Sequence, residues 1–217
     1  MLDSALPRDQ AAAARTRPSL TRDLTAKNLD FGAPVFIRAF KESNELELFV
    51  FNRKSEKFEL FRTYVIAKSS GHLGPKLAEG DGQVPEGFYT VPPTAMNPKS
   101  QFHLSFNIGY PNDFDRANRR TGSAIMIHGS CVSIGCLAMT DEKIEEIYTL
   151  CAAAHAGGQK AFHVHIFPFR MTHGRMAKTA GSEWQSFWKN LKQGYDNFES
   201  TRRIPEITVR ERQYIIR

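Results

Sequence analysis

The sequence has no apolar run near the roughly 18 residues a membrane span needs. Its first twenty residues, MLDSALPRDQAAAARTRPSL, also lack the apolar stretch of a secretory signal. The chain therefore reads either as cytosolic or as mature protein from which a targeting segment has been removed. Cysteine is scarce. With only three, Cys131, Cys136 and Cys151, at least one thiol stays free or bridges to another molecule. None lies in a CxxC, which removes thioredoxin-like and zinc-ribbon readings. Zinc-finger spacing, an aromatic RNA-binding signature and a lysine block are missing too, so nucleic acid is not an expected partner. The formal charge of +6 instead gathers partly near the C-terminus, at Arg202, Arg203, Arg210, Arg212 and Arg217. Such a balance suits an anionic partner or a plain solvated surface.

What is present has the texture of one globular domain: 41% hydrophobic and 24% charged residues over 217 positions. Residues 1–30 are polar, with an alanine run that reads as a short helix or a loose arm. From Pro34, PVFIRAF, ELELFVFN and FELFRTYVIA are β-branched and aromatic runs between polar turns, the pattern of a β-meander. A Gly- and Pro-rich stretch encloses one short strand, Gly87 to Val91, and FHLSFNIGY resumes the strand pattern. PNDFDRANRRTG reads as a polar loop. TDEKIEEIYTLCAAAHAGG is the clearest helix, with Thr140 or Asp141 available to cap it and Cys151 on its buried face. AFHVHIFPF is a strand with His163 and His165 on one side, expected to be a wet face. Trp184, Phe187, Trp188, Leu191, Tyr195 and Phe198 recur at helical spacing and read as core. The expected fold class is α+β with mostly antiparallel strands: an arm at 1–30, the main β-rich domain at 31–172 and a helical extension at 173–217.

The chemistry concentrates in IMIHGSCVSIGCLAM, residues 125–139, read as a short apolar hairpin. Its two ends bring His128 and Cys136 near one another. A nearby imidazole raises the thiolate fraction of a cysteine and can shuttle its proton. A buried thiol beside a satisfied histidine explains the same residues, and composition alone does not choose. His163 and His165 form a possible metal pair, but no carboxylate or cysteine at ligand spacing joins them, so neither metal nor cofactor is expected.

GPKLAEGDGQVPEGFYTV (74–91) followed by HGSCVSIGC (128–136) resembles the catalytic domain of the YkuD-type L,D-transpeptidases. The wider stretch SFNIGYPNDFDRANRRTGSAIMIHGSCVSIGCLAMTDEKIEEIY, with VHIFPFRMT after it, is similar to the YafK (DpaA) branch. The resemblance implies a periplasmic cysteine enzyme with a sandwich- or barrel-like β-core, acting on peptidoglycan at meso-diaminopimelate amide bonds through a thioester. Cys136 would be the nucleophile, His128 its base, the Gly129 carbonyl the group orienting the ring, and the Gly135 and Cys136 amides the oxyanion donors. Ser133, Tyr110, Arg116 and Arg119 are the candidate substrate-binding residues. Lys76, Glu79 and Asp81 are expected mainly to hold turns. Two departures from the general family pattern stand out: Ile134 where a histidine is usual, and Leu137, Ala138 and Met139 where Arg or Asn usually comes after the cysteine. The YafK branch is associated with hydrolysis of the amide joining diaminopimelate to the C-terminal lysine of the outer-membrane (Braun) lipoprotein. A hydrolase with stem peptides and peptidoglycan-linked lipoprotein as partners is therefore preferred over a cross-linking transpeptidase. A catalytically silent wall-binding module is the alternative of another class.

Overall fold

The structure, a computed structural model, describes residues 6–131 and 135–217. The chain opens with α1 (Arg8–Thr25), followed by the strands β1 (Val35–Phe40), β2 (Glu45–Asn52), β3 (Lys57–Val65), β4 (Gly87–Val91), β5 (Met96–Asn97) and β6 (Ser105–Asn107). Next come α2 (Asp113–Ala117), β7 (Met126–His128), β8 (Leu137–Ala138), α3 (Asp141–Ala156) and β9 (Phe162–Phe167). The chain ends with α4 (His173–Ala177), α5 (Gln185–Thr201), β10 (Ile207–Arg210) and β11 (Gln213–Ile216).

The expected meander forms one side of a five-stranded sheet of order β3-β2-β1-β9-β4. Most pairs are antiparallel, but β9 enters parallel to β1. β5-β6-β7-β8 make a second, four-stranded sheet, and β10-β11 a small hairpin. The fold is α+β, with open sheets among the described residues rather than a closed barrel.

One face of the large sheet packs with α1, α3 and the second sheet around Ile37, Leu48, Phe106, Ile147, Cys151 and Val164. Of the two readings for the alanine run, residues 8–25 take the helical one. α1 buries Ala12, Leu20 and Leu24, and Arg15 pairs with Glu145 of α3 at 2.5 Å. The opposite sheet face takes α5 through Trp188, Leu191, Tyr195 and Phe198, and the extension beyond residue 172 ends in the β10-β11 hairpin rather than being wholly helical.

That cover overturns the wet face expected for β9. His163 is half-buried, and His165 is fully buried, 4.6 Å from Phe36 and 4.7 Å from Phe88. Neither ring nitrogen of His165 has a hydrogen-bond partner. Burial above all, then His163 and Arg38, drives its pKa well below the ordinary value of 6.5. The unfolded chain therefore binds a proton below pH 6.5 that the folded chain refuses, so this stability is present above 6.5 and is lost as pH falls. At about 1.4 kcal/mol per pH unit, His165 should cost about 2 kcal/mol between pH 6.5 and 5. Urea unfolding at the two pH values should show His165→Leu losing that much less than the wild type; equal losses would contradict the assignment.

Candidate active site

The segment 125–139 is not a hairpin. β7 and β8 run parallel, with Ile127 opposite Leu137 and His128 opposite Ala138. Continued back one position, the register sets Cys136 beside Met126. Facing residues, and residues two apart on one strand, share a sheet face. The thiol and the imidazole therefore project from the same side, His128 closing β7 and Cys136 opening the way into β8.

The backbone around them is tightly specified. Gly129 N–H donates to Leu104 O at 3.0 Å, and Met139 N–H to His128 O at 2.8 Å. A Cβ at Gly129 would lie 2.6 Å from Asp141 Oδ1 and 2.8 Å from Phe102 O, so the position has no room for a side chain. Thr140 stands at the start of α3 with φ +73° and makes no side-chain cap; the Asp141 carboxylate accepts from Ser130 N–H at 2.7 Å instead.

His128 Nδ1 lies 2.5 Å from Gly129 O. A carbonyl only accepts, so Nδ1 carries the proton and Nε2 is the basic nitrogen of the neutral ring. The residue is 2% exposed, its ring 4.8 Å from that of Phe102, itself 43% exposed. Burial lowers the His128 pKa, partly offset by the Gly129 carbonyl. The half-buried Cys136 Sγ accepts from Met126 N–H at 3.4 Å and donates to Ala124 O at 3.8 Å. Burial raises its pKa, while the Met126 amide and the Lys76 charge pull the other way without winning. A lowered imidazole pKa and a raised thiol pKa both favour the neutral forms of the two side chains. Alkylation of Cys136 by iodoacetamide, followed by mass spectrometry, should keep accelerating with pH past the ordinary thiol range near 8.5. A plateau reached below pH 7 would show a preformed thiolate instead.

The model of the YkuD family, the L,D-transpeptidase catalytic domain, matches residues 47–166. The chain belongs to the YkuD L,D-transpeptidase family. It is 44% identical over 185 residues to "Putative L,D-transpeptidase YafK" of Escherichia coli K12, covering 85% of this chain and 74% of that protein. Among solved structures it is similar to the helical cell shape determining protein Pgp2 from Campylobacter jejuni, at 18% identity, with a TM-score of 0.50, over 81% of this chain and 72% of that one. The K307A mutant of Pgp2 aligns likewise, at 18% identity and a TM-score of 0.51, over 89% and 66% of the two chains. At that identity the likeness is one of fold.

The other candidate residues of this YkuD domain fall into different surroundings. Ser133 lies outside the described residues. Tyr110 is buried, its hydroxyl faces the carbonyls of Lys76 and Thr121, each at 3.2 Å, and the residue lines a cleft of about 660 Å³. Arg116 is exposed and bonded to Asp113 and to the Pro111 carbonyl, and with Gly109 it lines both of two neighbouring clefts of about 620 and 660 Å³. The larger of these also reaches Met126, the residue whose amide holds the thiol. Arg119 is exposed, with φ +60°. The loop expected at 111–122 contains α2, closed by a capping box between Asn112 and Asp115, with Asp115 buried against Arg120 at 2.9 Å.

Lys76 does hold its turn, bonding Ala78 O at 2.8 Å and Asp81 at 2.6 Å, but its charge also acts on the thiol. Burial would raise the Asp81 carboxyl; Lys76 and the amides of Ala78, Leu77 and Gln83 pull it down to about 2. The N–H of Gly135, the expected oxyanion donor, donates to Ser70 Oγ at 2.6 Å. Ser70, the Met126 amide, the Ala124 carbonyl and Phe102 carry no signal in the sequence. Ser70 stands 65 positions from its partner, and backbone donors have no residue signature.

Proposed function

We propose that this chain is a periplasmic cysteine hydrolase of peptidoglycan. Its bond is the amide at the L-centre of meso-diaminopimelate, and its favoured substrate carries the outer-membrane lipoprotein on that bond. The observation that supports this reading is the parallel β7-β8 pairing, which sets Cys136 beside Met126 and leaves Nε2 of the neighbouring His128 as the basic nitrogen.

As Cys136 Sγ attacks the amide carbonyl, His128 Nε2 takes the thiol proton. The imidazolium then gives that proton to the departing amine, the C–N bond breaks and a thioester remains. Water, deprotonated by the same Nε2, adds to the thioester; the C–S bond breaks and the sulfur regains its proton. The preference for water rests on the three residues directly after the nucleophile. Leu137, Ala138 and Met139 are apolar and buried, so this segment offers no charged side chain to dock a second stem peptide as acceptor.

Product analysis on purified sacculi carrying bound lipoprotein tests the proposal, with Cys136→Ala alongside. Released lipoprotein and bare stem peptides in the wild type only are expected. New links between two diaminopimelates, or newly attached lipoprotein, would make the enzyme a transferase, and an unchanged product pattern in both samples would sink the enzymatic reading.

A further inference from the structure

The segment just before the Gly- and Pro-rich stretch runs alongside the nucleophile. Lys68 forms an antiparallel bridge with Ala138, whose N–H donates to Lys68 O at 3.0 Å. Two residues further along each strand of that bridge, Ser70 comes opposite Cys136. There the Ser70 hydroxyl accepts the Gly135 N–H at 2.6 Å and donates to Gly82 O at 2.7 Å, so it bridges two backbones at once.

Gly135 has φ +81°, where glycine turns freely and other residues are strained. A freely turning glycine directly before a nucleophile lets the next residue wander, and a short hydrogen bond to a fixed acceptor removes that freedom. The acceptor is fixed. Lys41 Nζ bonds Gly74 O at 2.6 Å and Val84 O at 2.9 Å, and Asp81 Oδ1 accepts from Gln83 N–H at 3.1 Å, so both ends of the strap carrying Gly82 are tied. The Gln83 carbonyl itself lies 3.4 Å from where a Gly135 Cβ would stand.

We propose that Ser70 is a positioning residue for the thiol reaction: its hydroxyl locks the Gly135 peptide so that Cys136 meets the substrate carbonyl. The inference rests on Cys136 being the nucleophile.

Its test compares wild type, Ser70→Ala, Ser70→Thr and Cys136→Ala on a soluble muropeptide carrying a lysine-ended peptide on its diaminopimelate. In Ser70→Ala, kcat should fall about tenfold or more, the scale of one hydrogen bond removed from the reacting frame. KM, the rate of Cys136 alkylation by iodoacetamide and the thermal midpoint should stay near wild type. Threonine, which keeps the acceptor, should restore most of kcat. A Ser70→Ala enzyme as active as wild type, or faster, would overturn the proposal; the faster result would mean that the hydroxyl competes with substrate for the amide. A loss that tracks the thermal midpoint, or that threonine does not rescue, would overturn it as well. If Cys136→Ala retains turnover, the nucleophile assignment itself fails. If Cys136→Ala is dead and Ser70→Ala normal, only the role of Ser70 fails.

Discussion

On the proposed mechanism Cys136→Ala is expected to lower turnover by at least about a thousandfold, because the thioester forms on its sulfur and the remaining binding interactions provide only residual rate. The fold should survive. Cys136 is half-buried, alanine keeps its Cβ, and the thiol bonds to the Met126 amide and the Ala124 carbonyl are long and therefore weak. The neighbouring frame is held by backbone bonds that do not involve the sulfur, such as Met139 N–H to His128 O. Steady-state kinetics beside circular dichroism and urea unfolding check both halves. A variant that keeps more than a tenth of the activity while folded would remove Cys136 from the mechanism.

Lys41→Met is expected to destabilise the chain by about 3–5 kcal/mol, the usual cost of leaving one member of a buried ion pair alone. Lys41 Nζ lies 3.1 Å from Glu86 Oε1, and the Glu86 side chain is entirely buried. The carboxylate keeps two donors, Gly74 N–H and Trp188 Nε1, each at 2.8 Å, but loses its counter-charge. The Gly74 and Val84 carbonyls lose their partner in the same step. Against a typical total of about 5–15 kcal/mol, that is a large fraction. Urea denaturation should register it, and Lys41→Met combined with Glu86→Gln should recover part of the loss because the lone charge is gone. A loss under about 1 kcal/mol for Lys41→Met alone would show the pair to be dispensable. Trp188 belongs to α5, so the same network ties the C-terminal extension to the loop bearing Gly82, the acceptor of the Ser70 hydroxyl.

The strands β1 to β4 and helix α3 were legible because their signals are local: runs of Val, Phe and Ile between polar turns, and an acidic helix start with an i, i+3, i+4 face. The motif around His128 and Cys136 was legible for the same reason. The features that the sequence did not disclose depend on partners far along the chain. A short apolar run interrupted by Gly and Ser reads as a hairpin, yet strand direction is set by the neighbours each strand finds to pair with. Leu137 and Ala138 lie between β7 on one side and Lys68 on the other, and that arrangement is parallel to β7. α2 is five residues long, and its only local sign is the Asn112 to Asp115 spacing. The alternation in FHVHIF marks two faces correctly but cannot say that α5 covers the histidine side. Nothing in the polar loop around Tyr110 signals that its hydroxyl faces the carbonyls of Lys76 and Thr121.

The burial that raises the Cys136 thiol pKa has a consequence for durability. Peroxides and disulfides react with the thiolate, so a sulfur that stays protonated until substrate arrives is attacked slowly and climbs the oxidation ladder late. Cys151 is fully buried in the core, away from solvent. On the proposed mechanism, the burial that keeps Cys136 protonated also protects it from oxidation between substrates.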